Sequence, residues 1–252
     1  MGQVLVTGAR RGIGKAIALA LAKANYDVAV ADVEAGDALE AVAAEISAMG
    51  MRTAILQADI ADLGSHEKLL DDAQSALGPL TTLINNAGVS VMSRGDLLDV
   101  MPDSFDRCMD VNARGTFFLT QAFACRLREN LTECHRSIIT ITSANATAVS
   151  IGRGEYCMSK AAASMMSKLF AARLSDEDIG VYEIQPGFIE TDMTAPSKTK
   201  YDALIDNGLT VIKRFGTPDE IGRIAVTLAS GFLPYTTGQA IQADGGLLTV
   251  RY

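Results

Sequence analysis

The chain has 252 residues, which suits one ordinary domain and is short for two. Hydrophobic residues make up 48% and charged residues 21%, so a substantial core can form without disulfide or metal support. The net charge of −8 argues against a nucleic acid partner, because phosphate binding requires clustered Lys and Arg. No run approaches the ~18 apolar residues of a membrane span, so we expect no membrane association.

Short runs rich in Val, Ile and Leu alternate along the chain with longer segments rich in Ala, Leu, Glu and Lys. The short runs have the character of buried strands and lie at residues 3–6, 27–31, 53–56, 82–84, 137–141, 180–184 and 239–242. The longer segments have helical length, for example at residues 13–23, 37–49, 65–76 and 155–174. Repeated strand and helix predict an α/β fold, a Rossmann-type doubly wound parallel sheet with helices on both faces. We expect a single domain over residues 1–252.

Residues 187–215 break this alternation with a polar stretch. A connection longer than about 12–15 residues in a compact domain is usually functional or mobile. We therefore expect a loop with short helices that covers a substrate.

The cysteines and the first residues bear on the compartment. Cys108, Cys125, Cys134 and Cys157 show no CxxC spacing, and the chain has only two histidines. This gives little support to a metal site such as zinc and favours reduced thiols. Residues 1–6 run into a strand-like stretch without a basic region or cleavage site, which argues against a secretory signal. We expect a cytoplasmic protein.

A glycine-rich turn joins the first strand to the first helix, in the sequence Thr7-Gly8-Ala9-Arg10-Arg11-Gly12-Ile13-Gly14. Glycines let the backbone approach a pyrophosphate, and the helix N-terminus supplies free N–H groups and a positive dipole end. The spacing differs from the general GxGxxG fingerprint, and a tight turn without a ligand is the alternative. The position between strand and helix favours nucleotide binding by Gly8, Arg10, Arg11, Gly12, Ile13 and Gly14.

Asp32 ends the second strand, 20 residues after Gly12. A carboxylate there accepts hydrogen bonds from the adenosine ribose hydroxyls and repels a 2′-phosphate, which favours NAD over NADP. Arg10 and Arg11 oppose this preference, because a guanidinium beside the ribose can accept a phosphate. The arginines could equally face solvent or contact the pyrophosphate. We give Asp32 the greater weight and predict NAD, with NADP as the alternative.

Two further segments follow strands at the carboxyl edge, where doubly wound proteins bind ligands. Asp59 and Ile60 follow the third strand and are candidates to bracket the adenine. Asn85-Asn86-Ala87-Gly88 follows the fourth strand, and we assign Asn86, Ala87 and Gly88 to the cofactor site.

Three polar residues fit carbonyl chemistry. Tyr156 and Lys160 are four residues apart in a predicted helix and share a face, and Ser143 follows the fifth strand. A phenol with a pKa of about 10 is a poor acid–base group at neutral pH, but a nearby cation lowers that pKa. A serine hydroxyl can hydrogen-bond a substrate oxygen as charge develops there. A YxxxK pair alone is common on surface helices, so the combination with the glycine turn carries the prediction.

The sequence resembles the short-chain dehydrogenase/reductase family over nearly its whole length. The matching motifs are TGxxxGIG at residues 7–14, NNAG at 85–88 and YxxxK at 156–160. The resemblance implies that Tyr156 exchanges the proton and Ser143 positions the carbonyl. It implies that Lys160 lowers the tyrosine pKa and binds the nicotinamide ribose, and that Asn112 holds a proton-relay water. Tyr156 and Lys160 thus count as both catalytic and cofactor-binding residues.

The resemblance also bears on the nicotinamide and on assembly. It implies that Pro186, Gly187, Ile189 and Thr191 meet the nicotinamide carboxamide. It implies that residues 239–246 are the final strand, which is often part of a tetramer interface. Together with the Met-rich and Ala-rich helix at 155–174, this predicts a homotetramer.

The leading functional hypothesis is an NAD-dependent secondary alcohol dehydrogenase or ketone reductase acting on a small molecule. Bacterial 3-oxoacyl-acyl-carrier-protein reductases are similar, so the first alternative is an NADPH-dependent enzyme of that type. Those enzymes generally lack an acid at the position of Asp32. The second alternative is a nucleotide sensor without turnover, which would not require the complete set of catalytic residues. Arg94 and Arg153 flank the expected active-site mouth, as exposed arginines or as contacts to an anionic substrate.

Overall fold

The computed structural model describes residues 2–130 and 132–250, and the strands in this part of the chain form one parallel sheet. The strand order is β3-β2-β1-β4-β5-β6-β7. Strands β1 to β3 follow one another outward on one side of the sheet and β4 to β7 on the other, so the order reverses between the neighbours β1 and β4. The strands are β1 Gln3–Thr7, β2 Asp27–Asp32, β3 Thr53–Gln57, β4 Thr82–Asn85, β5 Arg136–Ile141, β6 Ile179–Pro186 and β7 Ala240–Ala243. The predicted doubly wound parallel sheet is confirmed, and each predicted strand ends within two residues of the observed one.

Helices cover both faces of this sheet. They are α1 Gly12–Lys23, α2 Asp37–Ala48, α3 His66–Leu77, α4 Pro102–Met109, α5 Thr116–Glu129, α6 Gly154–Leu174, α7 Lys198–Asp206 and α8 Pro218–Ala229. The helices α1, α2 and α8 pack on one face, where Val4 and Val6 of β1 join their core. The helices α3, α5 and α6 pack on the other face, where Leu5 points. Alternate residues of each strand are thus buried on opposite sides, as a sheet covered on both faces requires.

A π-helical segment, Asp110–Gly115, joins α4 to α5. Such segments inside α-helices are frequent at functional sites. This one contains Asn112 and ends at Gly115, where a Cβ would lie 2.2 Å from the carbonyl oxygen of Ile60. The segment that contains Asn112 therefore packs against the chain that follows β3. Only a glycine fits at residue 115, where the two backbones are closest.

The polar stretch 187–215 contains a 3₁₀ turn, Ala195–Ser197, and the helix α7, so the expected short helices are present. The ring of Phe188 lies 4.4 Å from that of Tyr201, measured between centroids. The Arg94 guanidinium donates a hydrogen bond of 3.4 Å to the Tyr201 hydroxyl. The stretch is thereby attached to the chain that follows β4.

The contact between α1 and α8 depends on one glycine and gives a stability prediction. A Cβ at Gly222 would lie 2.9 Å from the Ala16 carbonyl oxygen and 3.0 Å from the Ala20 Cβ. We expect Gly222→Val to force the two helices apart and to lower the free energy of unfolding by about 2 kcal/mol. Urea unfolding measures this loss. Gly95→Val is the matched control, because nothing lies within 4 Å of a Cβ at Gly95. Equal stability of the two variants would contradict the packing argument.

Candidate active site

A cleft of about 460 Å³ lies at the carboxyl edge of the sheet, beside the β1–β4 reversal. Most residues assigned to the cofactor from sequence line it. They are Gly8, Arg10, Arg11, Gly12, Ile13, Gly14, Asp32, Asp59, Ile60, Asn86, Ala87, Gly88, Tyr156, Lys160 and Thr191. A second cleft of about 500 Å³ lies between α7 and α8 and contains none of the predicted site residues. Its charges pair with each other, as in Arg214–Glu220 at 2.7 Å.

The glycine turn at the start of α1 has a geometry that suits an anion. Gly8 adopts a φ of +64°, and a Cβ at Gly14 would lie 2.1 Å from the Gly8 carbonyl oxygen. Arg11 precedes the helix in an extended conformation and gives it no side-chain cap. The N–H groups of the first turn are therefore not occupied by a capping side chain, and phosphate is the kind of group that such a helix end binds.

Asn86 connects the end of β4 to the glycine turn. Its amide nitrogen donates hydrogen bonds to the carbonyl oxygens of Thr7 at 2.9 Å and Gly8 at 2.8 Å. The Thr7 hydroxyl in turn accepts from the backbone N–H groups of Asn86 and Ala87, at 3.1 Å each. The NNAG segment thus fixes the turn from across the reversal point of the sheet.

At the end of the cleft that holds Asp32, Arg10 contacts two carboxylates. The Asp32 carboxylate accepts a hydrogen bond of 3.2 Å from the Arg10 backbone N–H, and the Arg10 Nε lies 3.6 Å from its other oxygen. The Arg10 guanidinium also pairs with Glu34 at 2.8 Å. Arg11 pairs with Asp192 at 3.6 Å on the exposed rim. The arginine nearest to Asp32 is therefore already matched by two carboxylates, and Glu34 was not singled out from the sequence.

The segment after β3 is held by a residue that lies outside every sequence motif. The buried His66 donates from Nε2 to the Ile60 carbonyl oxygen at 2.8 Å. The Asp59 carboxylate accepts a hydrogen bond of 2.9 Å from the backbone N–H of Ala61. No local pattern marks His66, because its contact is a single bond to the backbone.

Ser143, Tyr156 and Lys160 meet at the end of β5. The Ser143 hydroxyl lies near enough to the Tyr156 hydroxyl to lower the pKa of the tyrosine. The Lys160 ammonium donates to the Ile141 carbonyl oxygen at 3.0 Å, and its nitrogen lies 5.9 Å from the centroid of the Tyr156 ring. Tyr156 is only 8% exposed and Lys160 only 6%. Tyr156 and Lys160 thus lie in a dry corner of the cleft, while Ser143 is half-buried and is not among the residues that line the cleft.

Burial acts in opposite directions on the two titratable groups. Burial raises the pKa of Tyr156, while the hydrogen bond from Ser143 and then the charge of Arg153 lower it. Burial lowers the pKa of Lys160 to about 8, and the charge of Glu183 opposes that shift. Both effects disfavour the charged form, as desolvation does in general. The lowering of the Tyr156 pKa by Lys160, expected from the YxxxK motif, stays a prediction.

Arg153, expected from the sequence at the active-site mouth, is a cation that lies at Tyr156. Its guanidinium carbon lies 5.2 Å from the centroid of the Tyr156 ring. The guanidinium donates a hydrogen bond of 2.5 Å to the Asn145 side chain, and the backbone N–H of Asn145 donates to the Ser143 oxygen at 3.1 Å. Arg153 is thereby tied through Asn145 to the same serine that contacts Tyr156.

Asn112 joins the chain after Gly88 to α6. Its side-chain oxygen accepts from the Val89 N–H at 2.8 Å, and its amide nitrogen donates to the Val89 carbonyl at 2.9 Å. The same nitrogen donates to the Ser159 hydroxyl at 2.9 Å. Both N–H donors of the side chain are therefore used within the protein, and the relay water at this residue stays a prediction.

The four residues assigned to the carboxamide are not all at the cleft. Thr191 lines it, whereas Pro186, Gly187 and Ile189 are not among its lining residues. Pro186 ends β6, and the N–H of Gly187 donates to the Ala243 carbonyl at 3.0 Å. The Ile189 side chain is part of the hydrophobic core. Any contact of these three residues with a ligand would have to come from their backbone.

Three comparisons place this architecture among known proteins. A family model described as Enoyl-(Acyl carrier protein) reductase matches residues 8–248. The chain is 34% identical to the 3-oxoacyl-acyl-carrier-protein reductase FabG of Staphylococcus epidermidis, over 96% of this chain and 97% of that protein.

Two solved structures are similar over almost the whole chain. A 3-oxoacyl-acyl-carrier-protein reductase from Brucella melitensis in complex with NAD is 42% identical, with a TM-score of 0.96 and coverage of 100% of this chain and 98% of that chain. A putative 2-deoxy-d-gluconate 3-dehydrogenase from Agrobacterium tumefaciens with bound NADP is 30% identical, with a TM-score of 0.86 and coverage of 99% and 97%.

The fold and the site define an NAD(P)-dependent oxidoreductase that acts on a CH–OH or C=O group. The chain belongs to the short-chain dehydrogenase/reductase family, as its motifs indicated. Among the residues that the structure describes, no helix combines the length and the apolar character needed to cross a membrane.

Proposed function

We propose that this protein transfers a hydride between NAD(H) and a small secondary alcohol or ketone. The observation that carries the proposal is the meeting of Ser143, Tyr156 and Lys160 beside a cleft whose other end holds Asp32. An acid–base group at one end and a ribose-selective carboxylate at the other are what such a reaction requires.

The residues lining the cleft fit a dinucleotide. The uncapped start of α1 suits the pyrophosphate, and Asp32 suits the diol of the adenosine ribose. Asp59 and Ile60 would bracket the adenine. The remaining contacts would come from Asn86, Ala87, Gly88, Tyr156, Lys160, Pro186, Gly187, Ile189 and Thr191. When bound, the nicotinamide supplies or accepts the hydride.

The chain's own side chains have separate tasks in this proposal. The Tyr156 hydroxyl gives a proton to the carbonyl oxygen in reduction and takes it back in oxidation. The Ser143 hydroxyl, which contacts it, holds the same oxygen. The Lys160 ammonium favours the phenolate and holds the ribose, and Asn112 holds the relay water. Residues 187–215 cover the substrate.

The 3-oxoacyl-acyl-carrier-protein reductase activity is the second candidate. A specific observation favours it, because a relative that carries this name is 42% identical and was solved in complex with NAD. A preference for NAD therefore does not by itself count against that substrate class. A panel of sugars, polyols, hydroxy acids and acyl thioesters, run with both cofactors, separates the candidates by the absorbance of the reduced nicotinamide.

We also propose a single-domain cytoplasmic enzyme that assembles as a homotetramer. The four cysteines are unpaired, which suits a reducing compartment. On α6, Met158, Met165 and Leu169 are more than half exposed and recur at intervals of seven and four residues, so they share one helix face. Exposed apolar side chains grouped in this way favour contact with a second copy of the chain.

Replacing Tyr156 with Phe tests the function directly. We expect kcat to fall by about a thousandfold, because the proton donor is lost while the ring packing survives. NAD affinity, measured by calorimetry, is expected to stay nearly unchanged. Tyr26→Phe is the control, since it removes a buried tyrosine hydroxyl that bonds to Ala229 instead. A Tyr156→Phe enzyme that kept a tenth of the wild-type kcat would rule the assignment out.

The charges at Arg10 give a prediction on cofactor choice. We expect wild-type kcat/KM to favour NAD(H) over NADP(H) by at least about tenfold, or about 1.4 kcal/mol. Asp32→Ser is expected to reduce this ratio and raise NADP(H) activity. Asp32→Ser combined with Glu34→Gln is expected to go further, because both carboxylates that hold the Arg10 guanidinium are then gone. A wild-type preference for NADPH, or loss of NAD activity without a gain for NADP, would contradict it.

The proposed assembly is tested at the exposed face of α6. We expect light scattering of the wild type to give four times the mass of one chain. Met165→Lys combined with Leu169→Lys is expected to reduce that mass, because a buried unpaired charge at an interface is costly. Leu98→Lys is the control, since it adds a charge at an apolar residue that is 91% exposed and is not part of α6. A wild-type mass of one chain would reject the tetramer.

A further inference from the structure

A carboxylate is buried beneath the proposed catalytic corner. Glu183 lies in the middle of β6 and is only 1% exposed. It accepts hydrogen bonds from the Thr142 hydroxyl, from the Ser164 hydroxyl at 2.8 Å and from the Gln185 amide nitrogen at 2.8 Å. A buried carboxylate is costly unless its oxygens are hydrogen-bonded or paired, and three donors are directed at this one.

The three donors come from three elements that carry proposed site residues. Thr142 directly precedes Ser143 at the end of β5. Ser164 follows Lys160 by one turn of α6, on the same helix face. Gln185 directly precedes Pro186 at the end of β6. One carboxylate therefore ties together the ends of the segments that hold the serine, the lysine and the residues assigned to the carboxamide.

We propose that Glu183 is a positioning residue of this site, whose buried carboxylate is held by donors from three elements and acts on the Lys160 ammonium. The proposal rests on the catalytic role proposed for Lys160. Glu183 itself touches no reacting atom and acts through the lysine and through the three hydrogen-bond donors.

The charges around Lys160 leave Glu183 as its counter-ion. Among the described residues, Lys160 is acted on by Glu183 from β6 and Cys108 from α4, and Tyr156 lies beside it on α6. Burial raises the pKa of the Cys108 thiol and burial raises the pKa of the Tyr156 hydroxyl, so both groups are neutral at pH 7. Burial lowers the pKa of Lys160 to about 8, and the Glu183 charge is what opposes a further fall.

The sign of the expected change follows from this balance. With Glu183 neutralised, the Lys160 pKa should drop further below its ordinary value, so the ammonium loses its proton at a lower pH. We expect the Lys160 pKa to be lower by about one unit or more in Glu183→Gln, which is the usual effect of removing a nearby opposite charge. The alkaline side of the kcat profile should move to lower pH by a similar amount.

The test reads the lysine directly in the cofactor-free protein. Carbon-13 NMR of lysine labelled at Cε follows the titration, and Lys160 is assigned by the signal that is lost in Lys160→Met. Glu183→Gln and the smaller Glu183→Asn are both measured, so that if one variant fails to fold the other still gives a result. Thermal unfolding checks that each variant is folded. Glu183→Asp keeps the charge, and Ser164→Ala removes one hydrogen bond while keeping the charge.

The proposal predicts a lower Lys160 pKa in the two neutral variants, near wild-type values in Glu183→Asp and Ser164→Ala, and the matching shift of the kcat profile. An unchanged Lys160 pKa in a folded neutral variant overturns it, and so does a lowered pKa with an unmoved kcat profile. Because the titration needs no substrate, it reports on Glu183 even if the substrate panel shows no turnover. Failure of the panel alone would reject the proposed function and leave the electrostatic result standing.

Discussion

The whole site depends on the bonds that Asn86 makes across the reversal point of the sheet. In a parallel sheet all strands end at one edge, but helices leave β1 and β4 toward opposite faces and open a crevice there. The Asn86 amide closes the base of that crevice by donating to the carbonyl oxygens of Thr7 and Gly8. These two bonds both stabilise the turn and set its shape.

Low solvent access then determines the chemistry at the other end of the cleft. In a dry corner the charged forms of Tyr156 and Lys160 are both disfavoured, so neutral phenol and neutral amine would be the default pair. The protein counters this with charges placed one step away, Arg153 near the tyrosine and Glu183 near the lysine. Burial remains the larger effect on both groups, so these charges moderate it without reversing it. The proton-transfer group is therefore tuned by residues outside the YxxxK motif.

Much of the fold was predictable because its signals are local. Each strand is a short apolar run, and the glycine turn lies between one such run and a helix. The partners of Arg10 and Arg153 could not be predicted, because they depend on side-chain positions brought together by the fold. Glu183 lies within the predicted strand 180–184, and the pattern of that strand does not indicate that its one carboxylate is buried. The π-helical turn at Asn112 has no local signature either, since Gly115 is required only by the approach of Ile60.

The stretch 187–215, proposed to cover the substrate, differs from the family motifs in how it is held. The motifs shared with the family sit on strand ends and on α1 and α6, which are fixed by packing on both faces of the sheet. The stretch 187–215 contributes Ile189 to the core, but its outer part is held by the packing of Phe188 on Tyr201 and by the bond from Arg94 to that tyrosine hydroxyl. Such contacts can change without disturbing the core, so loops of this kind vary in specificity while the chemistry stays the same. Relatives that are named for different substrates but have closely similar folds are the expected result.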